Sequence, residues 1–467
     1  MRDPSVHGRY ARGARRDALG QYIFASDRAP FRNSGNWHRS RLPLAVPLDS
    51  VTPTDLSEHP VRADVERHAD RAATDAQARV TPLGLPRLPV LGWAAFSGAR
   101  TASLPSVLEL PGVMLTSSGR AAIALALRSV GLGNGDRVLV PTYHCPTMIA
   151  PIVAAGAKPA FYPIDATGAP WLEAMDKTTH GVRAMIAAHY FGLPQRMSKV
   201  REFCDQRGII LIEDCAHAMF GEVDGRPSGS FGDFAIASLT KFFPTTDGGC
   251  LVASGRYEPA EILRPRRLRD EIKTAANVIE MGVEQRRLHG LNTLFDAAFG
   301  IAGRLPKAKP GDAEAAAVSR NGMNPRDWLE DFADDAIAWR EPSKWTRWTV
   351  RHVHRERIVA NRRRNYLHLA KLVENLPGAH ALMPSLPDAC APYVFPLWVD
   401  EPERTYQRVR AAGIPVFRWD ELWPSTPTLV GDSGFQWSMH VFQIGCHQDL
   451  RPTDIARMAD ALHAIFG

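Results

Sequence analysis

Two short apolar runs, Ile209 to Ile212 and Phe234 to Ala237, are joined by a Gly-punctuated turn region. Runs of this length, bounded by turn residues, predict buried parallel strands. The first leads directly into Glu213 and Asp214, and the second is followed by Lys241. In α/β folds the carboxyl ends of such strands face the ligand crevice, so a carboxylate and an amine are expected there together. Each residue alone is ordinary, an Asp as a helix cap and a Lys as a solvated side chain. Lys241 departs from that pattern, because only 9 of the 56 basic residues are Lys and this one precedes Phe242, Phe243 and Pro244. An Asp and a Lys at two strand ends form the pair that pyridoxal 5'-phosphate (PLP) chemistry needs. The amine forms the Schiff base, and the carboxylate keeps the pyridine nitrogen protonated so that the ring can take up electrons.

The pattern becomes regular from Thr116. Ser117 or Ser118 can cap a helix carrying Ala121, Ile123, Ala124, Leu127 and Val130 at helical spacing, with Gly131 placed to end it. A helix N-terminus offers N–H groups and a favourable dipole to a phosphate, which makes Ser118, Gly119 and Arg120 a candidate cradle. Gly131 to Pro141 reads as turn then strand, and its glycines do not fit GxGxxG, so no dinucleotide site is expected. Pro146 suits the first turn of a helix reaching Gly156. Strands are expected around Pro159 to Ile164 and Arg183 to Phe191, with a helix from Met197 to Arg207. This alternation implies βαβ units and a mostly parallel sheet.

Residues 1–95 are read as an N-terminal extension without assigned chemistry. Residues 96–255 form the PLP-binding large domain, 256–345 a helical insert or connector, and 346–467 a small C-terminal domain. In the last, one long helix is expected from Trp345 to Leu376, then strands at 392–399 and 414–422 with a helix at 401–412 between them. The six cysteines are widely spaced without a CxxC pair, and no N-terminal apolar segment is present, which points to a reducing cytoplasm and to no metal site. The most apolar window, Met148 to Ala157, is too short to span a bilayer. The formal charge of +6 is small for 467 residues and forms no basic stripe with interleaved aromatics, so neither nucleic-acid nor membrane binding is expected.

Six stretches in order, TSSGRAA (116–122), VPTYHCP (140–146), HYFGLP (189–194), IEDCAHA (212–218), GSFGDFAIASLTK (229–241) and DGG (247–249), resemble the DegT/DnrJ/StrS-type nucleotide-sugar aminotransferases. The resemblance covers roughly 95–255 and returns near the C-terminus. It implies fold type I of the PLP-dependent enzymes, a large α/β domain with a smaller α+β domain, PLP as cofactor and a homodimer. Lys241 and Asp214 become the catalytic residues, Ser118 and Gly119 hold the phosphate, and His217 approaches the ring oxygen. Ser238 lies three residues before the lysine, where relatives place a Ser further ahead, and the resemblance leaves Ser238 or Thr240 to reach the phosphate.

Two positions depart from the family. Arg120 stands where relatives have Thr, and Cys145 where an aromatic ring stacks on the cofactor, leaving His144 or Tyr143 to supply that ring. The implied reaction moves an amino group from an amino acid, glutamate first among donors, to a keto-sugar nucleotide in amino-sugar or cell-surface polysaccharide biosynthesis. An aminotransferase of non-nucleotide ketones and a PLP-binding paralogue without turnover remain open alternatives. A nucleotide-diphosphate acceptor would need Arg donors, for which Arg264, Arg266, Arg267, Arg269 and Arg418 are candidates.

Overall fold

The structure is a computed structural model that describes residues 82–97, 104–175, 179–259, 262–291, 329 and 337–467. Its centre is a seven-stranded sheet of β1 (Val113–Thr116), β2 (Arg137–Pro141), β3 (Lys158–Tyr162), β4 (Val182–Ala188), β5 (Ile210–Asp214), β8 (Phe234–Ser238) and β9 (Gly249–Ala253). The spatial order is β1-β9-β8-β5-β4-β2-β3. The pairs β2–β3, β2–β4, β4–β5 and β5–β8 are parallel, while β8–β9 and β1–β9 are antiparallel. The small hairpin β6 (Glu222–Val223) and β7 (Arg226–Pro227) fills the connection between β5 and β8. The continuous apolar runs follow from this arrangement, since Leu211, Ile212, Phe234 and Ala237 are all fully buried.

Helices α1 (Gly119–Ser129), α2 (Pro146–Ala154) and α3 (Met197–Arg207) connect the strands. The cap of α1 is Ser118, whose side chain accepts from Ala121 N–H, and small buried residues such as Ala121, Ala122 and Ala126 let this helix lie close to β8 and β9. Pro146 opens α2 as expected, and Gly208 closes α3 in the left-handed conformation at φ 63°. One strand is shorter than the sequence suggests. β4 stops at Ala188 because the chain turns off the sheet through Phe191, at φ 60°, and Gly192, at φ 91°. A Cβ on Gly192 would lie 2.3 Å from Tyr393 N, so only glycine permits that approach.

After α4 (Leu268–Glu284) the expected long helix is broken into α5 (Lys344–His352) and α6 (Arg355–Leu372). Val353 between them is extended, at ψ 136°, and His354 N–H bonds to Ala95 O at 3.0 Å. The linker expected from Leu305 lies outside the described residues. A second sheet, β10 (Ala379–Ala381), β11 (Val394–Val399), β12 (Val416–Phe417) and β13 (Val441–Gly445), is antiparallel in the order β10-β11-β13-β12. Its core contains Tyr366, Leu397, Val409, Ile444 and Leu462, contributed with α6 by α7 (Pro402–Ala411) and α9 (Pro452–Phe466). Helix α8 (Gly434–His440) leads into β13. The expected strand 414–422 shrinks to β12, and 418–423 continues as a loop.

Residues 82–90 are tied to this second sheet. Leu83 N–H bonds to Ala412 O at 2.9 Å, Val90 N–H to Asp449 Oδ2 at 3.2 Å, and His447 Nε2–H to Pro86 O at 3.0 Å.

Candidate active site

Lys241 ends a 3₁₀ turn, Leu239–Lys241, that leaves β8. Phe242 and Phe243 N–H groups both bond to Leu239 O, and their fully buried rings pin this turn against the core. The Lys241 Nζ therefore stands over the Tyr393 ring, 5.2 Å from its centroid. Burial lowers the pKa of this amine, and the Asp214 carboxylate opposes that change. Asp214, the last residue of β5, is the complementary case: burial raises its pKa and the Lys241 charge pulls it back. Burial thus moves the two pKa values toward each other, which suits the pair to proton traffic.

His217 completes the group. Its Nδ1 accepts from Phe191 N–H at 3.3 Å, so the ring proton sits on Nε2. Burial, with the neighbouring Lys241 charge, keeps this imidazole neutral far below its usual pKa. Its ring lies 4.4 Å from that of Tyr393 and 5.1 Å from that of Trp419. The left-handed Phe191 is thus fixed from both sides, since its carbonyl accepts from Tyr393 N–H at 2.7 Å.

Polar satisfaction tests whether these residues fit PLP. Asp214 Oδ1 accepts from Ala216 N–H at 2.8 Å, while its other oxygen has no hydrogen-bond partner among the described residues. The same holds for Lys241 Nζ and His217 Nε2. Lys241 is only half-buried, so these atoms keep some access to solvent, and an acid, an amine and a ring N–H stand in one place without a protein partner among the described residues. PLP offers a pyridine nitrogen, an aldehyde and a ring oxygen, one for each. The phosphate end fits as well. Gly119 opens α1 close to Ser238, its ideal Cβ position 3.6 Å from the Ser238 Cβ, and Ser238 Oγ lies 3.3 Å from Thr240 Oγ1. A Cβ on Gly249 would fall 2.5 Å from Gly119 N, so a side chain there would fill the helix mouth.

Other expected residues are placed differently. His144 is fully buried, with Nδ1–H donating to Pro141 O (2.9 Å), Nε2 accepting from Trp423 N–H (3.1 Å), and its ring against Phe161. Burial lowers its pKa to about 4. This histidine is a neutral brace between β2 and the 418–423 loop, which corrects the expectation that it stacks on the cofactor. Tyr143 is likewise enclosed by Tyr190, Phe191, Trp419 and Trp437. Cys145 caps α2, with Sγ 3.0 Å from Thr147 Oγ1. Arg120 lies in the first turn of α1.

Among the Arg candidates, Arg418 is buried and paired with Glu403 (2.6 Å) and Asp420 (3.4 Å), and Arg266 is paired with Asp247. Arg267 and Arg269 are exposed at the start of α4. Sequence reasoning missed Tyr393 and Trp419, which line the site from the second sheet and its loop. Their signal was only the apolar run 392–399 and the aromatic loop 417–423. Glu213, beside Asp214, points the other way. Burial raises its pKa, but His189 (2.9 Å) and the Gly229, Phe231 and Gly232 N–H groups hold it low, marking it as scaffold.

The fold and this strand-end cluster define an α/β protein of the type I PLP-dependent transferase architecture. Among solved structures, the aminotransferase TlmJ from Streptoalloteichus hindustanus shares this fold with a TM-score of 0.52 at 21% identity, over 76% of this chain and 85% of that one. Residues 107–269 match the model of the DegT/DnrJ/EryC1/StrS aminotransferase family, so the likeness read from the motifs holds over that span. Over 160 residues the chain is 34% identical to the dTDP-4-dehydro-2,3,6-trideoxy-D-glucose 4-aminotransferase of Saccharopolyspora spinosa, covering 33% of this chain and 41% of that protein. It is 34% identical over 157 residues to the UDP-N-acetyl-3-dehydro-alpha-D-glucosamine 3-aminotransferase of Acidithiobacillus ferrooxidans, again covering 33% and 41%. The chain thus spans about two fifths of the length of these relatives. Among the described residues no helix is long and apolar enough to cross a membrane.

Proposed function

We propose that this protein is a PLP-dependent aminotransferase that moves an amino group from an amino acid, glutamate first among donors, to a keto-sugar nucleotide. The observation that carries this reading is the convergence of Lys241 Nζ, Asp214 Oδ2 and His217 Nε2, three polar atoms without partners among the described residues. The names of relatives that act on dTDP- and UDP-linked sugars supply the acceptor class.

Bound PLP supplies the electron sink for breaking the bond to hydrogen at the amino-bearing carbon. Lys241 would hold the cofactor through its amine, and that amine is the group placed to accept and return a proton beside it. Burial lowers its pKa, which eases its deprotonation. Asp214 would hold a proton on the cofactor's ring nitrogen, and His217 would offer its Nε2–H to the cofactor. Ser118, Gly119 and Ser238, with the first turn of α1 through Arg120, bind the phosphate. The rings of Tyr393 and Trp419 exclude water on the C-terminal side.

A cytoplasmic homodimer in amino-sugar biosynthesis completes the proposal. Support for self-association is the apolar surface of Leu268, Ile272, Trp345 and Trp348, since exposed patches of this kind mark interaction sites. The test supplies purified protein with PLP, glutamate and a panel of keto-sugar nucleotides beside small ketones. Amination of a keto-sugar nucleotide, with competition by the nucleoside diphosphate that weakens as salt rises, is expected. Amination of small ketones alone replaces the acceptor with a non-nucleotide ketone. Absence of a visible cofactor band overturns the PLP reading altogether.

A further inference from the structure

We propose that Arg362 and Gln448 are positioning residues that set the geometry of Lys241 from the C-terminal unit. Arg362 has no exposed surface. Its Nη2 donates to the backbone carbonyl of Lys241 at 2.6 Å, and its Nη1 to those of Pro392 and Tyr393, each at 3.0 Å. Its Nε donates to Gln448 Oε1 at 2.8 Å, and Gln448 Nε2 donates to Phe242 O at 2.8 Å. The guanidinium lies over the Phe242 ring, 4.4 Å from the centroid.

Among the described residues the acceptors of this arginine are all neutral. Burying a cation on neutral acceptors is unfavourable, and an apolar side chain of similar volume often stabilises a core as well or better. What this cation reaches explains its presence. One planar fork holds the carbonyl of Lys241 and the carbonyl of Tyr393, over whose ring the Lys241 Nζ stands. Both sides of that contact are therefore indexed to one group, and Gln448 fixes the next carbonyl along. Arg362 is in turn oriented by α6, where Asn365 Nδ2 donates to the carbonyls of His447 and Leu450, both at 3.0 Å. A shift of about 1 Å in a reacting group can cost roughly 10²-fold in rate, and Lys241 follows its own backbone. The catalytic meaning of the clamp rests on the proposed PLP chemistry, but the clamp itself is testable without cofactor.

The experiment compares wild type with Arg362→Lys, which keeps the charge and loses the fork, with Gln448→Leu, and with Leu462→Ala. Leu462 is buried in the same C-terminal core and is 221 residues from Lys241, so its variant reports general destabilisation. Amide hydrogen exchange of the peptide 239–245 is measured on the protein without PLP. Visible circular dichroism per bound cofactor, kcat and KM are measured on the loaded protein. Arg362→Lys and Gln448→Leu are expected to accelerate exchange in 239–245 and to reduce the dichroism. They are also expected to lower kcat, by about 10²-fold for Arg362→Lys, more than they change KM. Leu462→Ala is expected to lower the melting temperature while leaving exchange in 239–245 and the dichroism per cofactor unchanged. Should both clamp variants behave as Leu462→Ala does, the proposal is overturned. Where Arg362→Lys does not fold, Gln448→Leu decides. If wild type takes up no PLP, the cofactor reading fails, while the exchange result still judges the clamp.

Discussion

At the carboxyl end of the large sheet, Lys241 Nζ, Asp214 Oδ2 and His217 Nε2 stand together without partners among the described residues. In the C-terminal unit the fully buried Arg362, Asn365, His447 and Gln448 have their polar atoms bonded to backbone groups, to one another and, for Asn365 Oδ1, to Arg364. Five buried atoms of that unit break the pattern, Thr349 Oγ1, His354 Nδ1, Arg418 Nε, Asp432 Oδ2 and Gln443 Oε1. Gln443 reaches the Tyr143 hydroxyl at 3.1 Å, beside the aromatic wall of the site. A donor or acceptor without a protein partner depends on water or a ligand for its hydrogen bonds, so three of them together mark a place where a ligand can supply the missing partners. A satisfied network carries no such expectation. It fixes the frame in which the unsatisfied cluster is held.

The largest effect is expected on the unsatisfied side. Lys241→Ala removes the group proposed to bind the cofactor and move the proton, so turnover should fall by at least about 10³-fold. The visible band should disappear while far-UV dichroism stays native. Retention of both band and turnover would place the cofactor on another residue and dissolve the contrast. Asp214→Asn comes next, with turnover falling roughly 10²-fold to 10³-fold, the range for losing one preorganised electrostatic partner. Cofactor affinity should fall much less, which equilibrium dialysis against PLP checks. Near-normal turnover would show that another acid faces the ring nitrogen.

A smaller effect is expected from the satisfied side, through pH. His144 and His447 are both buried and neutral, each with a pKa lowered to about 4 by burial. Their unfolded value is about 6.5, so the unfolded chain binds more protons between these limits, and stability falls as pH drops through that window. Above about pH 6.5 the two rings are neutral in both states and contribute no slope. Thermal melts from pH 7 to 4 should show the decline, and His447→Gln should flatten part of it. An unchanged slope in that variant would mean that burial of this ring is not what makes stability fall over that window.

The five parallel strands of the large sheet, the end of α3 and the cap of α1 were legible because local chemistry decides them. Apolar runs between turn residues, Gly208 in the left-handed region and the Ser118 hydroxyl need no distant partner. Lys241 and Asp214 were legible for the same reason, as unusual residues at strand ends. His144 was misread because the residue that claims its Nε2 is the backbone of Trp423, 279 positions away. Tyr393 and Arg362 were invisible as site components because each acts through contacts from the second sheet to the first. The break between α5 and α6 also comes from a distant partner, Ala95. A one-dimensional pattern reports what a residue does with its neighbours in sequence, and these residues were defined by neighbours in space.

The weakest expected effect sharpens the comparison by showing that pairing alone is not the cause. Arg404 and Glu401 lie on the surface of the C-terminal unit as an i,i+3 pair at 3.4 Å, with side chains 75% and 68% exposed. Arg357 and Asp449 are a pair at 2.7 Å with side chains only 17% and 8% exposed, and Asp449 also holds Val90 N–H. Water screens the first pair, and ordering two long side chains opposes it, so Arg404→Ala should move stability by less than about 0.5 kcal/mol. Arg357→Met leaves a buried carboxylate with one partner fewer and should cost roughly 1–3 kcal/mol. Denaturant melts of the two variants measure the difference at constant m-value. Equal losses would mean that burial does not decide what a polar contact contributes here, and the contrast between the open cluster at Lys241 and the closed network behind it would lose its energetic basis.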